Sequence, residues 1–431
     1  MKNLFTSSPA RLAWLVVGLL WPVALLNYFD RQLVSTMKRS IMGDITDIAT
    51  DENFGRLMAV FMWVYACLSP VGGYLADRFN RRWTVLASLG VWSLVTWLTG
   101  HVHTYQQMLW ARAAMGVSEA FYIPAALAFI ADFHPGATRS RAIGVHQTGI
   151  CAGIALGGIG GVIADSHFGW RAGFTWFGLA GIAYALVLLG CLPAAHKVST
   201  EVAVKKSDTN ISAVLAGLLG VGSFILLVFY FTLPAMSGWV VKNWLPSMLA
   251  DKFSLKQGPA GLSATLWVTF ASLVGALLGG LLADRWMRVT PRGRIYLSAV
   301  GMMMLVPALF GVGYAPTLGV AVAFLILFGI GWGFFDTNNM PILCQIVRPE
   351  YRATGYGIMN MVSISTGGWV TVRLGAMRDH GTPPSVIFSF CAVAAAVSVI
   401  LVLLIRPKPE AQLTGRTPKA ARDFESVTQQ E

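Results

Sequence analysis

The sequence has few charged residues for its length. Asp, Glu, Lys and Arg make up 12% of the 431 residues, whereas hydrophobic residues make up 55%. Soluble domains carry about 25% charged residues, so this composition excludes an ordinary soluble enzyme. A helix needs roughly 20 apolar residues to cross a membrane, and about twelve such helices with short loops would use up most of the chain.

The sequence also lacks the common catalytic and nucleotide-binding motifs. Its five cysteines have no C-x-x-C or Cys/His ligand spacing, so neither a disulfide framework nor a metal site is expected. It has no G-x-x-x-x-G-K-[ST] loop, so ATP hydrolysis is not the expected energy source. The Gly-rich run at 153–161 follows no strand, and close helix packing explains it better than dinucleotide binding. We therefore expect no cofactor, no metal and no enzymatic activity.

The formal net charge of +12 does not indicate nucleic-acid binding. The basic residues lie in short loops between apolar runs, which is how a polytopic membrane protein sets its orientation. Most Lys and Arg fall in the loops predicted on the same side as both termini. This bias predicts cytoplasmic termini in a plasma membrane, and the short loops favour a bacterial inner membrane.

Hydropathy predicts twelve helical segments. Helical apolar runs without alternating ten-residue strands favour helices over a membrane barrel. The seventh segment is too long for a single span, and its first turns from Ile211 are expected to lie along the interface. The predicted segments are 12–37, 54–76, 83–101, 105–132, 140–164, 170–192, 212–249, 260–283, 294–313, 317–346, 353–377 and 384–405.

Polar stretches divide these segments into two halves. Residues 1–11 are predicted to form a cytoplasmic arm, 12–193 and 211–405 two six-helix bundles, and 194–210 the cytoplasmic linker between them. The polar tail at 406–431 is predicted to be disordered.

An internal repeat supports this division. GGYLADR at 72–78 recurs as GGLLADR at 279–285, and GVSEAFYIP at 116–124 aligns with GFFDTNNMP at 333–341. Both repeats fall at equivalent places in the two halves. Parallel repeats of this kind predict two pseudo-symmetric bundles that rock around a site near the middle of the membrane.

These motifs resemble those of a known transporter family. GGYLADRFNRR at 72–82 resembles the loop signature of the major facilitator superfamily, and Arg112 with Gly116 resembles its helix 4 motif. NYFDR at 27–31 resembles helix 1 of the anion:cation symporter branch, which contains sugar-acid and organic-anion permeases. Spinster-like lipid transporters carry a similar motif. The Gly-rich fifth helix of the superfamily is matched by Gly149, Gly153, Gly157 and Gly161.

The resemblance implies an all-α membrane protein with twelve transmembrane helices in the major facilitator fold. It implies proton-coupled symport of a small organic anion, such as an aldonate or hexuronate, by alternating access. The alternative is a spinster-like lipid or lysophospholipid transporter. The expected partners are the anion, protons and membrane lipid, without nucleic acid, and the expected state is a monomer. A sensor built on the same fold and an integral membrane enzyme are less favoured, because neither an added soluble domain nor a catalytic constellation is present.

Four charged residues in the first half are the main candidates for chemistry. A charged side chain at the centre of a membrane helix costs roughly 2.5–3.5 kcal/mol, so each needs a reason to be there. The resemblance implies that Asp30 and Glu119 carry the coupled proton and that Arg31 contacts the anion. It also implies that Arg112 organises the pocket or touches the substrate. Alternatively, these charges pair only with one another and stabilise helix packing.

Other polar residues are candidates for substrate contact or gating. Asp336 and Asn338 stand at the pseudo-symmetric place of Glu119 and are secondary candidates for substrate contact or proton transfer. Arg373 and Lys242 are expected to extend their charges toward the membrane interface. The loop residues expected to act in gating are Asp77, Arg78, Asp284 and Arg285. The residues expected to line a sugar-sized cavity are Tyr65, His146, Gln147, Trp239, Asn243, Asn360 and Ser363, each of which equally suits a hydrogen bond between helices.

Overall fold

The fold is described by a computed structural model, which is helical with no strand in the residues it covers. The structure describes residues 9–78, 80–134, 138–193, 211–348 and 351–407, and the side chains of 71–78, 140, 211–213 and 353 are outside the description. The predicted linker at 194–210 lies outside the described residues. So do residues 1–8 of the predicted arm and all of the predicted tail beyond residue 407.

Nine α-helices and one 3-10 turn build the described part of the first half of the chain. They are α1 (Pro9–Thr36), α2 (Lys38–Asp44), α3 (Asp51–Arg78), α4 (Arg81–Thr99), α5 (Tyr105–Glu119), α6 (Tyr122–Phe133), α7 (Arg139–Leu156), α8 (Ile159–Asp165) and α9 (Gly169–Cys191), with a 3-10 turn at Thr46–Ile48. The second half contains α10 (Ile211–Leu219), α11 (Gly222–Lys252), α12 (Gln257–Met287), α13 (Gly293–Tyr314), α14 (Leu318–Cys344), α15 (Arg352–Asp379) and α16 (Pro384–Leu404).

Every segment predicted from hydropathy is helical, but three of them are interrupted. The fourth segment is α5 followed by α6, the fifth is α7 followed by α8, and the seventh is α10 followed by α11. Pro124 accounts for the first break, because it has no N–H to donate to the carbonyl of Ala120. Gly157 and Gly158 occupy the second break. Within the described part of the chain, nine helical stretches are long and apolar enough to cross a membrane.

The two halves meet along two pairs of helices. α3 packs against α15, and α7 with α8 packs against α12. Glycine permits the closest approaches: a Cβ on Gly55 would lie 2.8 Å from the carbonyl oxygen of Thr371, and one on Gly158 would lie 2.7 Å from the backbone nitrogen of Leu262. Both seams therefore depend on backbone-to-backbone contact.

The ends of the bundle can be assigned from the helix connections. Asp379, at the end of α15, accepts hydrogen bonds from the backbone N–H groups of Asp51 and Glu52 at 2.8 and 2.9 Å. The end of α1, the short helix α2 and the start of α16 therefore lie at one end of the bundle, which we call the α2 end. α1 begins and α16 finishes at the opposite end.

Candidate functional site

A cavity of about 610 Å³ lies between the two halves. Helices α1, α3, α5 and α7 line it from the first half, and α11, α12, α14 and α15 line it from the second. Of the residues predicted to face such a cavity, the lining contains Arg31, Tyr65, Arg112, Gln147, Trp239, Asn243, Asn360, Ser363 and Asp336. A central site shared by both halves is the arrangement that alternating access requires.

Arg31 lines the cavity and also contacts Glu119, the buried acid of the fourth predicted segment. Its Nε donates a 2.5 Å hydrogen bond to Oε2 of Glu119, which is fully buried at the break after α5. The guanidinium carbon lies 4.5 Å from the ring centroid of Tyr28 and 4.8 Å from that of Tyr65. Nη2 of Arg31 and Oε1 of Glu119 have no hydrogen-bond partner in the described part of the chain. The pair thus retains donor and acceptor groups for further hydrogen bonds.

Asp30 lies behind this pair and outside the cavity lining. It is 2% exposed, and its Oδ2 accepts a 3.1 Å hydrogen bond from Oγ1 of Thr96 on α4. Its other oxygen, together with both polar side-chain atoms of the neighbouring Asn27, has no partner among the residues described. Unpartnered buried polar atoms are costly, so this pocket is suited to an exchangeable proton or a water molecule.

Arg112 is a second buried cation on the same side of the cavity. Its Nε donates to the backbone oxygen of Leu57 at 3.3 Å, and its guanidinium lies 4.6 Å from the ring centroid of Phe61. Arg31 contacts the same ring at 5.2 Å. In the described residues no carboxylate lies within 4.0 Å of Arg112. The first half therefore presents two guanidinium groups and a single directly paired acid.

Two of the residues predicted to contact the substrate lie outside the cavity lining. His146 is buried, and its Nε2 lies 3.0 Å from the hydroxyl of Tyr122. Asn338 is also buried, and its amide donates to the carbonyl oxygen of Phe334 at 2.8 Å. Both side chains have contacts typical of hydrogen bonds between or within packed helices, and their predicted substrate contact has no support in these positions.

The second half lines the cavity with side-chain amides and one carboxylate, whereas the first half contributes two guanidinium groups. Asn243 on α11 donates to Oγ1 of Thr371 at 3.0 Å, and the amide of Asn360 donates to the carbonyl oxygen of Tyr356 at 3.0 Å. Asp336 is exposed to the cavity and has no ion-pair partner within 4.0 Å in the described residues. It therefore differs from its pseudo-symmetric counterpart Glu119, which is buried and paired.

Lys242 is the cavity residue that the sequence interpretation misplaced. It was expected at the membrane interface, but it lies in the cavity lining on α11. The hydropathy of the segment gave no indication of this, whereas the helical spacing did. Trp239, which is expected to face the cavity, lies three residues before Lys242, so the two side chains are neighbours on one face of the helix.

Ion pairs close the α2 end of the cavity. Asp51 lies 2.5 Å from Nζ of Lys38 and 2.6 Å from Nε of Arg378. Asp251 lies 2.7 Å from Arg378 and 2.5 Å from Arg39. Burial lowers the pKa of Lys38, and the nearby charge of Arg378 lowers it further. We call these five residues the ion-pair seal; it joins α2 and α3 of one half to α11 and α15 of the other.

A second contact closes the other seam at the same end. Both carboxylate oxygens of Asp165, at the end of α8, accept hydrogen bonds from the start of α12. Gly258 donates through its backbone N–H at 2.7 Å, and Gln257 donates through its amide at 3.2 Å. Both seams are therefore held by polar contacts at the α2 end, and a carrier must break these contacts to open there.

The predicted gating residues are at the opposite end. Asp77 and Arg78 end α3, and their side chains lie outside the described residues. Asp284 is exposed and lies 3.6 Å from Arg294 within its own half, and Arg285 is exposed beside it. Nearby, Arg81 pairs with Asp132 and joins α4 to α6. The described ion pair of Asp284 stays within one half, and the predicted gating role stays a prediction.

Comparison with known proteins identifies the family of this fold. The model of the Major Facilitator Superfamily matches residues 20–370. Protein spinster homolog 1 of Xenopus tropicalis is 29% identical over 388 residues, which cover 84% of this chain and 72% of that protein. An MFS-type efflux pump of Mycolicibacterium smegmatis is 28% identical over 378 residues, with 84% and 85% of the two chains covered.

Solved structures share the fold at lower identity. A bacterial homolog of the human lysosomal transporter Spinster, in an inward-facing and occupied conformation, has a TM-score of 0.74 and 20% identity, covering 93% of this chain and 96% of that one. The D-xylose-proton symporter has a TM-score of 0.76 and 16% identity, covering 93% and 98%. These matches confirm the predicted twelve-helix architecture. The chain belongs to the Major Facilitator Superfamily of multi-pass membrane transporters.

Proposed function

We propose that this chain is a proton-coupled transporter of an organic anion that carries an apolar body. The observation that supports the proposal most directly is the position of Arg31, which pairs with the buried Glu119 and also faces the cavity. An arginine keeps its charge and can grip an oxyanion through two N–H groups. The same guanidinium is therefore within reach of both a proton-binding acid and a substrate.

Competition for Arg31 couples the anion to the proton. When the substrate takes the guanidinium, Glu119 loses its counter-ion inside a packed bundle, and the free energy of an unpaired buried carboxylate favours uptake of a proton. When the substrate leaves, Arg31 returns to Glu119 and the proton is released. Asp30, which lies close behind the pair with one unpartnered oxygen, is the second proposed proton-binding group.

The walls of the cavity favour an amphiphilic anion over a sugar acid. Rings of Phe61, Phe231, Phe328, Trp239 and Trp332 surround the space beside the charged end. Such walls bind apolar surface and leave few groups for sugar hydroxyls. The similarity to spinster proteins agrees with this preference, so the spinster-like alternative is the better substrate class.

A sugar acid is the second candidate, because polar groups also line the cavity. Gln147, Asn243, Thr265, Asn360 and Ser363 supply donors and acceptors that can meet hydroxyl groups. Transport of either substrate would proceed by opening the ion-pair seal and closing the opposite end. We propose that the carrier acts as a monomer, with both termini in the cytoplasm.

A thermal-shift experiment on the purified protein separates these substrate classes. Lysophosphatidylglycerol, gluconate and glucose represent an amphiphilic anion, a sugar acid and a neutral sugar. A ligand at one hundred times its Kd stabilises the folded state by about 2.7 kcal/mol, so a true ligand gives a clear shift. We expect the lysophospholipid to raise the Tm most and glucose not at all. Stabilisation by glucose that persists in Arg31→Gln would overturn the anion proposal.

A further inference from the structure

Lys242 is the cavity cation with the most freedom to bind a ligand. Its side chain is half-buried in the lining, and Nζ lies 4.9 Å from the ring centroid of Trp239. In the part of the chain that the structure describes, no carboxylate lies within 4.0 Å of Nζ and no group accepts its hydrogen bonds. An ammonium has three N–H donors, and because Lys242 lines the cavity these donors can be offered to a bound oxyanion.

The surrounding helices hold this lysine in place. Trp239 packs against Gly367 of α15, where an added Cβ would come within 2.6 Å of the indole Nε1. Pro246 has no N–H to donate to the carbonyl of Lys242, so the backbone of α11 is released from its regular hydrogen bonding at this residue. The packed Trp239 ring gives the ammonium group of Lys242 an aromatic surface to lie against inside the cavity.

The other cavity cations are already engaged. Arg31 is paired with Glu119, and Arg112 is 2% exposed and donates to a backbone carbonyl. Asp336 is the carboxylate of the second half in this lining, and it is not in direct contact with Lys242. An oxyanion can therefore bind Lys242 without displacing a directly paired carboxylate, whereas at Arg31 it competes with Glu119.

We propose that Lys242 is a substrate-binding residue that holds the anionic group from the second half while Arg31 holds it from the first. An oxyanion bound between α1 and α11 ties the two bundles together through the ligand. Asp336 sets the strength of this contact, because its negative charge in the same cavity opposes the binding of an anion and attracts the lysine. The inference rests on the proposed transport of an organic anion and adds the residue that recognises the charge from the second half.

Calorimetric titration of the purified protein with octanoate and its neutral isostere octanamide tests this role. We expect Lys242→Gln to weaken octanoate binding at least tenfold and to leave octanamide binding unchanged. Lys242→Arg should restore octanoate binding, because the charge is retained. Asp336→Asn should tighten octanoate binding several-fold in the natural background and have less effect when combined with Lys242→Gln. Lys256→Gln, at an exposed lysine just beyond the same helix, is the matched control.

Each result separates this inference from the proposed function. If the natural protein binds octanoate no better than octanamide, the proposed recognition of an amphiphilic anion is overturned together with the role of Lys242. If octanoate is preferred and Lys242→Gln binds it equally well, only the role of Lys242 is overturned. A lower Tm of Lys242→Gln with unchanged octanoate affinity shows that the lysine merely supports the Trp239 ring, and it likewise overturns the inference.

Discussion

Nε of Arg378 lies 2.6 Å from the carboxylate of Asp51 and joins α15 to α3 across the boundary between the two halves. The two side chains are only 12% and 15% exposed. Exposed ion pairs are worth roughly 0.2–1 kcal/mol, whereas removing one partner of a buried pair costs about 3–5 kcal/mol. A pair of intermediate burial is strong enough to bias the carrier toward closure at the α2 end.

We expect Arg378→Gln to open the α2 end more often. The substitution removes the contacts to both Asp51 and Asp251, and a change of about 1.4 kcal/mol shifts a conformational equilibrium tenfold. Cys151 lines the cavity and can report the change in a variant whose other cysteines are replaced. An impermeant maleimide added at the predicted outer face should label Cys151 several-fold faster in Arg378→Gln.

Arg373→Gln is the matched control for this labelling experiment. Arg373 is an exposed arginine on the same helix and lies against the Trp369 ring, 5.4 Å from its centroid, outside the ion-pair seal. Equal labelling rates in the natural protein and in both variants would show that the seal does not limit opening.

Arg31→Gln should remove most anion binding and leave a folded protein. Its Nε contact with Glu119 and its reach into the cavity are both lost, so at least a tenfold loss of affinity is expected. Arg31→Lys should rescue binding poorly, because a point charge cannot reproduce the two-pronged guanidinium geometry. Titration with lysophosphatidylglycerol measures both effects, and circular dichroism checks the fold. Full binding by Arg31→Lys would show that charge alone suffices.

Glu119→Gln should separate exchange from accumulation. The amide mimics the protonated acid, so the substrate can bind and the occupied carrier can reorient, but no proton is released to reset the empty carrier. In proteoliposomes we expect counterflow exchange to persist while uptake driven by an inward proton gradient falls at least tenfold. Asp30→Asn should behave similarly, with an added change in binding because Arg31 is its neighbour. Uphill uptake by both variants would exclude both acids from coupling.

The sequence predicts that Arg31 and Glu119 lie in one bundle, but it does not predict which of two adjacent polar residues on a helix faces the cavity. The motif on α1 and the repeat on α5 place Arg31 and Glu119 in one bundle, and the structure brings them into contact. His146 and Gln147 were both expected to face the cavity, yet successive residues of a helix point about 100° apart, and only Gln147 lines it.

Other features depend on contacts that no local pattern encodes. The ion-pair seal joins Asp51, Asp251 and Arg378, which are far apart in the chain and lie near helix ends, where each charge has many conceivable partners. The short helix α2 lies between the first two predicted segments and is not predicted by hydropathy, because a seven-residue helix has little periodicity to detect. By contrast, Pro124 was visible in the sequence and is the local signal for the helix break that follows Glu119.

Glycine packing between α1 and α7 gives a last prediction, on stability. A Cβ on Gly149 would lie 2.7 Å from the carbonyl oxygen of Trp21 and 3.3 Å from the Cβ of Ala24, whereas one on Gly144 of the same helix would meet nothing within 4 Å. Overpacking a tight contact costs about 1–3 kcal/mol, so Gly149→Ala should lower the Tm in detergent by several degrees. Gly144→Ala should leave the Tm unchanged or raise it slightly, because alanine favours the helix. Equal Tm values for the two variants would mean that α1 and α7 move apart at little cost, and the close seam would then not limit stability.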